Sequence, residues 1–231
     1  MNRKNLLVLT GAGISAESGL QTFRDGDGLW ENHRVEDVAT PEAWHRDPEL
    51  VLNFYNMRRR ACDAAHPNAA HLGLVSLEDD FEVRIVTQNI DTLHERAGSS
   101  NVLHLHGSID KMRSERNEQV LYDYDRDLSL NDFAPDGGRF RPHVVWFGEA
   151  VPNIHTAAEW VEHWADIIVL IGSSLAVYPA AGLLTYAPSH LPKYVLDKRI
   201  PDVKAVSNVF PIEMPASLGI HELARLLRED A

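Results

Sequence analysis

The sequence predicts an α/β protein: a doubly wound, mostly parallel sheet with a smaller inserted module of helices and loops. Three observations predict it. Short apolar runs alternate along the chain with stretches of helical periodicity. Several runs are apolar throughout, as strands covered on both faces are. The first run opens directly onto a glycine-rich turn, Gly11-Ala12-Gly13, the usual opening of a Rossmann-like unit.

Taken in order, residues 6–10 form the first strand. A helix over 48–65 is announced by Asp47 as N-cap, Pro48 in the first turn and Glu49 behind it. A second helix covers 67–78. Strands follow at 83–87, 102–105 and 144–147, then a helix at 154–164 and an apolar strand at 167–171. Strands at 194–197 and 205–210 and a helix at 220–228 close the chain. Residues 33–68, read as wholly helical, and 108–141, polar and loop-rich, fit the alternation poorly. They form the small module, leaving about 1–32, 69–107 and 142–231 to the Rossmann-like part of one catalytic domain.

The chain has 231 residues, 44% hydrophobic and 24% charged, enough for one large domain or two small ones. The apolar run 6–9 is too short for a signal-peptide core, and no stretch approaches a membrane span, so a membrane partner is not expected. Cys62 is the only cysteine, which excludes an internal disulfide and fits a reducing, cytoplasmic setting. A net charge of −12 argues against a broad footprint on nucleic acid.

Gly11-Ala12-Gly13-Ile14-Ser15-Ala16 fits G-x-G-x-x-A, whose glycines let backbone approach a pyrophosphate. Alone this is a weak signal, and no acid lies at a convincing ribose-binding distance, which disfavours an ordinary dehydrogenase. The loop continues through Glu17-Ser18-Gly19-Leu20 to Thr22-Phe23-Arg24 and Gly28-Leu29-Trp30. Later come Thr87-Gln88-Asn89-Ile90-Asp91, Leu105-His106-Gly107, Arg141-Pro142-His143-Val144-Val145-Trp146-Phe147-Gly148-Glu149, Gly172-Ser173-Ser174 and Val177-Tyr178-Pro179. This series, in this order over nearly the whole chain, resembles the sirtuins. It is most similar to the bacterial class that removes acidic acyl groups as well as acetyl.

The resemblance implies an enzyme that consumes NAD to remove acyl groups from lysine, yielding nicotinamide and an O-acyl-ADP-ribose. Its partner is an acylated lysine in a protein or peptide. Such chemistry needs a base for a ribose hydroxyl, and the resemblance gives that role to His106. From the residues alone, a structural histidine or a metal pair with His104 stays open. By resemblance Asp91 and the Ile90 backbone hold the nicotinamide carboxamide, Asn89 orients ribose or a water, and Gln88 reaches ribose hydroxyls. Gly11, Ala12, Gly13, Ser15, Ala16, Glu17, Phe23, Arg24 and Trp30 fall in the stretch that wraps NAD. Phe23 would shield the reacting carbon and Arg24 pair with phosphate. Gly172, Ser173, Ser174, Asp197 and Ala216 would meet the adenosine end. Asp197 stands where Asn is usual, and its charge disfavours a 2′-phosphate. Val144, Val145, Phe147, Gly148 and Glu149 belong to the substrate-binding stretch.

On the helix at 48–65, Val51, Tyr55, Arg58 and Cys62 lie along one line by 3-and-4 spacing. A guanidinium on an apolar stripe needs a carboxylate. Tyr-x-x-Arg is similar to the pair that reads succinyl and malonyl carboxylates. The plain alternative is a structural salt bridge with Glu36 or Asp37, with Arg59 and Arg60 facing solvent.

Sirtuins usually carry four zinc-binding cysteines between the catalytic histidine and the Arg-Pro-His strand. Residues 108–141 here contain neither Cys nor His, and Ser114 stands near the first ligand position. No metal is expected. The module must then hold by packing, with Val120, Leu121, Tyr122, Tyr124, Leu128, Leu130 and Phe133 available for it. Two other functions remain as alternatives, protein ADP-ribosyl transfer and an NAD or ADP-ribose sensor without turnover.

Overall fold

The structure, a computed structural model, describes residues 3–21, 29–178 and 180–229. β1 (Asn5–Thr10) leads into the one-turn helix α1 (Gly13–Ala16). A short hairpin, β2 (Leu29–Trp30) and β3 (His33–Arg34), precedes α2 (Val35–Val38), α3 (Pro41–Arg46) and α4 (Pro48–Ala64). Asp47 caps α4 by accepting from the Leu50 N–H at 3.0 Å, with Pro48 in the first turn as expected. Then come α5 (Ala69–Leu77), β4 (Glu82–Thr87), α6 (Leu93–Ala97), β5 (Val102–His104), β6 (Gly107–Ser114), β7 (Leu121–Asp123) and β8 (Phe140–Val144). α7 (Ile154–Glu159) continues into a π-helical turn at Trp160–Trp164. β9 (Ile167–Ile171), a 3₁₀ helix at Ala180–Tyr186, β10 (Lys193–Asp197), β11 (Val209–Glu213) and α8 (Ala216–Glu229) complete the chain.

Six parallel strands form the main sheet in the order β11-β10-β9-β1-β4-β5. Leu6 and Val8 face one side, packed against α5 and α8 residues such as Leu74 and Leu223. Leu7 and Leu9 face the other, against Val161 and Leu183. This period-two division explains why the central strands read as apolar on every residue. The chain builds outward from β1 through β4 and β5, then returns to lay β9, β10 and β11 on the other side. The order therefore reverses between β1 and β9, and such crevices outside the carboxyl ends of the strands take ligands.

Five expectations need correction. Residues 108–141 are not mainly loop: β6 pairs antiparallel with both β7 and β8 in a three-stranded sheet. The expected strand at 144–147 ends where it was to begin, because β8 runs through Phe140–Val144 and belongs to this small sheet. The strand expected at 205–210 starts at Val209, since Asn208 is left-handed at φ 58 and breaks the apolar run. β11 then continues through Pro211, which an edge strand tolerates. The final helix begins four residues early, at Ala216. Residues 33–68 are not wholly helical: helices cover Val35–Val38, Pro41–Arg46 and Pro48–Ala64, and His33 and Arg34 pair with β2. Among the described residues no helix is long and apolar enough to cross a membrane.

Candidate active site

Because β1, β4, β9 and β10 are parallel, the turns after them converge at one end of the sheet. There the Gly11 loop meets Gly172 backbone to backbone. The Gly11 N–H donates to the Ile171 carbonyl at 3.0 Å and the Gly13 N–H to the Gly172 carbonyl at 2.8 Å. A Cβ on Gly13 would lie 2.6 Å from the Gly172 Cα, and Gly172 itself sits at φ 61. So these glycines are required first by each other.

A cavity of about 600 Å³ opens over this junction and extends beneath α4. Asn89 is buried in its floor and donates from Nδ2 to the Gly11 carbonyl at 3.2 Å and to Ser15 Oγ at 3.1 Å. The Ser15 hydroxyl donates to Asp91 Oδ2 at 3.0 Å, and Asp91 Oδ1 accepts from the Leu93 N–H at 3.1 Å. Burial pushes the Asp91 carboxyl above its ordinary range against these bonds. Gln88 reaches across to Ser173 Oγ at 3.1 Å.

His106 follows β5 and lines the same cavity. Its Nδ1 lies 3.0 Å from the Gln88 carbonyl, which can only accept, so Nδ1 carries the proton and the basic lone pair is on Nε2. Burial lowers its pKa, keeping the ring neutral near pH 7. His104 makes the matching bond one residue on, Nδ1 to the Asn89 carbonyl at 2.9 Å, with Glu95 on its Nε2 at 2.8 Å. The two histidines thus clamp consecutive carbonyls, and His104 is not a metal partner for His106.

At the other end, Tyr55 is fully buried and its hydroxyl accepts from Trp146 Nε1 at 3.1 Å. Burial holds the phenol well above its ordinary pKa. The Trp146 segment is fixed by Arg141, whose guanidinium lies 3.2 Å over the indole and donates to Glu149 at 2.7 and 3.1 Å.

A Sir2 family model matches residues 11–179 of the chain. An NAD-dependent protein deacylase of Bacteroides thetaiotaomicron is 50% identical over 97% of this chain and 98% of its own. A Sir2 homologue mutant in complex with ADP-ribose superposes with a TM-score of 0.89 at 35% identity, covering 99% of this chain and 93% of that one. A Sir2 homologue in complex with NAD gives 0.86 at 36% identity, covering 99% and 91%. The chain belongs to the Sir2 family.

Within this Sir2 frame, most of the residues expected at the site do line the cavity. They are Gly11, Ala12, Gly13, Ser15, Ala16, Trp30, Gln88, Asn89, Ile90, Asp91 and His106, then Gly172, Ser173, Ser174, Asp197 and Ala216, and finally Tyr55, Arg58, Val144, Val145, Phe147, Gly148 and Glu149. Phe23 and Arg24 lie outside the described residues. Glu17 is a correction. It is not part of the lining but turns to the start of α8, where it accepts from the Ser217 N–H at 3.3 Å and from its hydroxyl. Ser217 is accordingly inside α8 and no N-cap.

Arg58 is buried and lines the cavity, but its partner is neither Glu36 nor Asp37. Those acids pair with Arg34 and Arg46. Arg58 Nη1 instead donates to Glu31 Oε1. Arg59 is a second correction: it is buried, bound to Asp63 and Asp127 and laid over the Tyr124 ring. Sequence reasoning also passed over Leu20, Trp146, Val151, Tyr178, Lys198 and Arg199 in the lining. Leu20, Trp146 and Tyr178 had a signal, since each lies inside a motif already singled out.

Proposed function

We infer that this chain is an NAD-dependent protein-lysine deacylase, and the observation that carries the reading is the set of His106, Asn89, Ser15 and Asp91 around one cavity. NAD supplies the ribose carbon whose bond to nicotinamide breaks and the hydroxyls that receive the acyl group. Asp91 offers remaining lone pairs to a carboxamide. The Ile90 carbonyl is already used by the Ile109 N–H at 2.8 Å, so the backbone contribution there falls to the Ile90 N–H. His106 Nε2 takes a proton from the ribose hydroxyl as the acyl group moves. Glycine packing, the Asn89–Ser15 bonds and the Gln88–Ser173 bond hold these groups before substrate arrives, which is where rate is gained. The adenosine end falls to Ser173, Ser174, Asp197 and Ala216.

The preferred acyl groups in this reading include acidic ones. With Trp146 donating to it, the Tyr55 hydroxyl keeps its own proton to give, and Arg58 supplies a fork for a carboxylate. The small module, about 33–68 and 108–141, then serves as the acyl-reading half over the Rossmann-like part. Its core supports that division, drawing on Val51, Phe54 and Tyr55 of α4 together with Ile109, Leu128 and Phe140. We also read the enzyme as zinc-free, since residues 108–141 offer no thiolate or imidazole.

A panel of acetyl, malonyl, succinyl and glutaryl peptides, read by nicotinamide release, tests the function. Acyl-dependent release is expected. Release with protein labelling but no acyl-lysine would mean ADP-ribosyl transfer, and binding without release would mean a sensor.

A further inference from the structure

The hairpin β2–β3 turns on Glu31 and Asn32, both left-handed at φ 49 and 64, the two-residue geometry that suits a twisted hairpin. Its base is fixed: Trp30 packs edge-on against Phe54 at 5.0 Å and Tyr55 at 6.3 Å, and His33 Nδ1 holds the Glu31 carbonyl at 2.8 Å. From this turn the Glu31 side chain reaches Arg58, whose guanidinium also lies 5.3 Å from the centre of the Trp30 ring. The Arg58 side chain is 6% exposed and that of Glu31 19%. Arg58 therefore lines the cavity while Glu31 meets it from the turn behind, on the wetter side.

A glutamate side chain ends in CH₂–CH₂–COO⁻, the same group that terminates a succinyl chain. We propose that Glu31 is an exchangeable counterion that gives the acyl pocket two charge states and so sets its selectivity. This rests on the reading of Arg58 as the group that meets an acyl carboxylate. With a neutral acyl-lysine bound, Glu31 stays on Arg58, and no buried cation is left uncompensated beside a methyl group. With an acidic acyl-lysine bound, the substrate carboxylate replaces Glu31, which leaves toward solvent from a turn that is already partly exposed. Acidic substrates must compete with Glu31, whereas neutral ones depend on it. The device broadens the pocket to both classes at some cost to each.

The test compares wild type, Glu31→Gln, Arg58→Met and the double variant on acetyl- and succinyl-lysine peptides, as kcat and KM separately. Glu31→Gln is expected to raise the succinyl-to-acetyl ratio of kcat/KM by about 10-fold, the scale of one charge-assisted contact. The change should fall mainly in KM, lower for succinyl and higher for acetyl. In the Arg58→Met background the same substitution should leave the ratio unmoved. Glu31→Asp, whose shorter arm reaches Arg58 less well, should shift the ratio in the same direction by less, and it serves if the Gln variant melts early. If Arg58→Met loses desuccinylation selectively while Glu31→Gln leaves the ratio unchanged or lowers it, the exchange is wrong and the Arg58 reading stands. If Arg58→Met harms both substrates equally, the acyl-carboxylate reading fails and the exchange falls with it.

Discussion

The parallel sheet and the small module are both well buried, yet they are joined by different means. In β1, β9 and β10 the burial is apolar apart from Thr10 and Lys193: Leu6, Leu7, Val8, Ile168, Val169 and Val195 are wholly inaccessible. The strands are tied to each other by backbone ladders. In the module, elements distant in sequence are tied by buried polar side chains. Asn56 on α4 donates to the Leu128 carbonyl at 2.8 Å, and its Oδ1 accepts from the Leu128 N–H at 2.9 Å and from the Tyr124 hydroxyl. Arg59 binds Asp127 at 3.0 Å, and Ser114 binds Asp136 at 2.8 Å. Glu115 accepts from the Arg139 N–H and from Trp44 Nε1 at 3.0 and 3.1 Å. Apolar burial tolerates a change of shape that keeps volume, and a polar cross-link does not.

The strongest way to break this contrast is a pair of substitutions, one removing a polar cross-link and one conserving an apolar core volume. Asn56→Leu leaves two backbone groups of Leu128 and the Tyr124 hydroxyl unpartnered. It should cost about 4 kcal/mol, since each orphaned buried group costs roughly 1–3 kcal/mol. Leu7→Met should cost under about 1.5 kcal/mol. Denaturant midpoints of the two variants decide it, and equal losses would mean that the module is held by apolar packing like the sheet.

A smaller effect is expected at the junction of the halves. His106→Ala should slow deacylation by about 10²-fold or more, roughly 3 kcal/mol of barrier. The loss of stability should be smaller than for Asn56→Leu, because only the Gln88 carbonyl loses a partner. A variant that turns over at the wild-type rate would remove His106 from its role as base.

The same contrast governs what could be read from sequence. The central strands were legible because continuous apolar runs mean burial on both faces, and the cavity floor was legible because its residues follow strand ends in recognisable motifs. β6 was not legible. Its run, Gly107 to Ser114, buries Arg113 and Ser114 beside Ile109 and Met112, and a buried arginine gives no periodic signal. Val120, Leu121 and Phe133, counted as module core from their apolarity, are exposed, while Arg59, read as facing solvent, is buried inside it. Glu31 was missed for the same reason, since its partner is 27 positions away.

Acid should separate the halves next. His71 and His94 are fully buried in the sheet half, rings 5.0 Å apart, and burial lowers them to about 4 and about 3. Both are neutral in either state above pH 6.5, so they contribute nothing there. Below it the unfolded chain binds protons that the folded chain refuses, and stability falls until the folded values are reached. From pH 7 to pH 5 the loss should be about 2 kcal/mol or more. The module carboxylates behave differently. Asp127 is lowered by its arginine partners Arg59 and Arg60, and Asp132 is held at about 2, chiefly by Arg126. Their contribution is present above the ordinary carboxylate range and is lost only as pH falls through the lowered values. Hydrogen exchange at pH 7 and pH 5 should therefore show β1 and β4 losing protection before β6 and β8. The reverse order would put the acid-labile groups in the module.

The smallest expected effect is none at all. If polar cross-links do in this module what a metal does in zinc-bearing relatives, EDTA should leave both melting and deacylation unchanged, and elemental analysis should find no stoichiometric zinc. The physical ground is the donor set. Between 108 and 141 the chain offers oxygen donors, cationic side chains and the Met112 thioether but no thiolate or imidazole, and neutral serine is a poor zinc ligand. Where a first ligand would fall, Ser114 is buried and already committed, donating to Asp136 Oδ1 and accepting from the Arg116 N–H at 3.1 Å. Asp136 is itself engaged by the Gly138 N–H at 2.9 Å, and its backbone carbonyl by Arg116 Nη1 at 3.1 Å. These bonds close the two turns onto each other, the task a metal clamp performs with thiolates. Ser114→Ala should then loosen the module by about 1 kcal/mol, seen as faster exchange at β6 and β8, under conditions in which EDTA does nothing. One tightly bound zinc per chain, with melting lowered by EDTA, would replace the hydrogen-bonded closure by a metal and return the module to the ordinary family pattern.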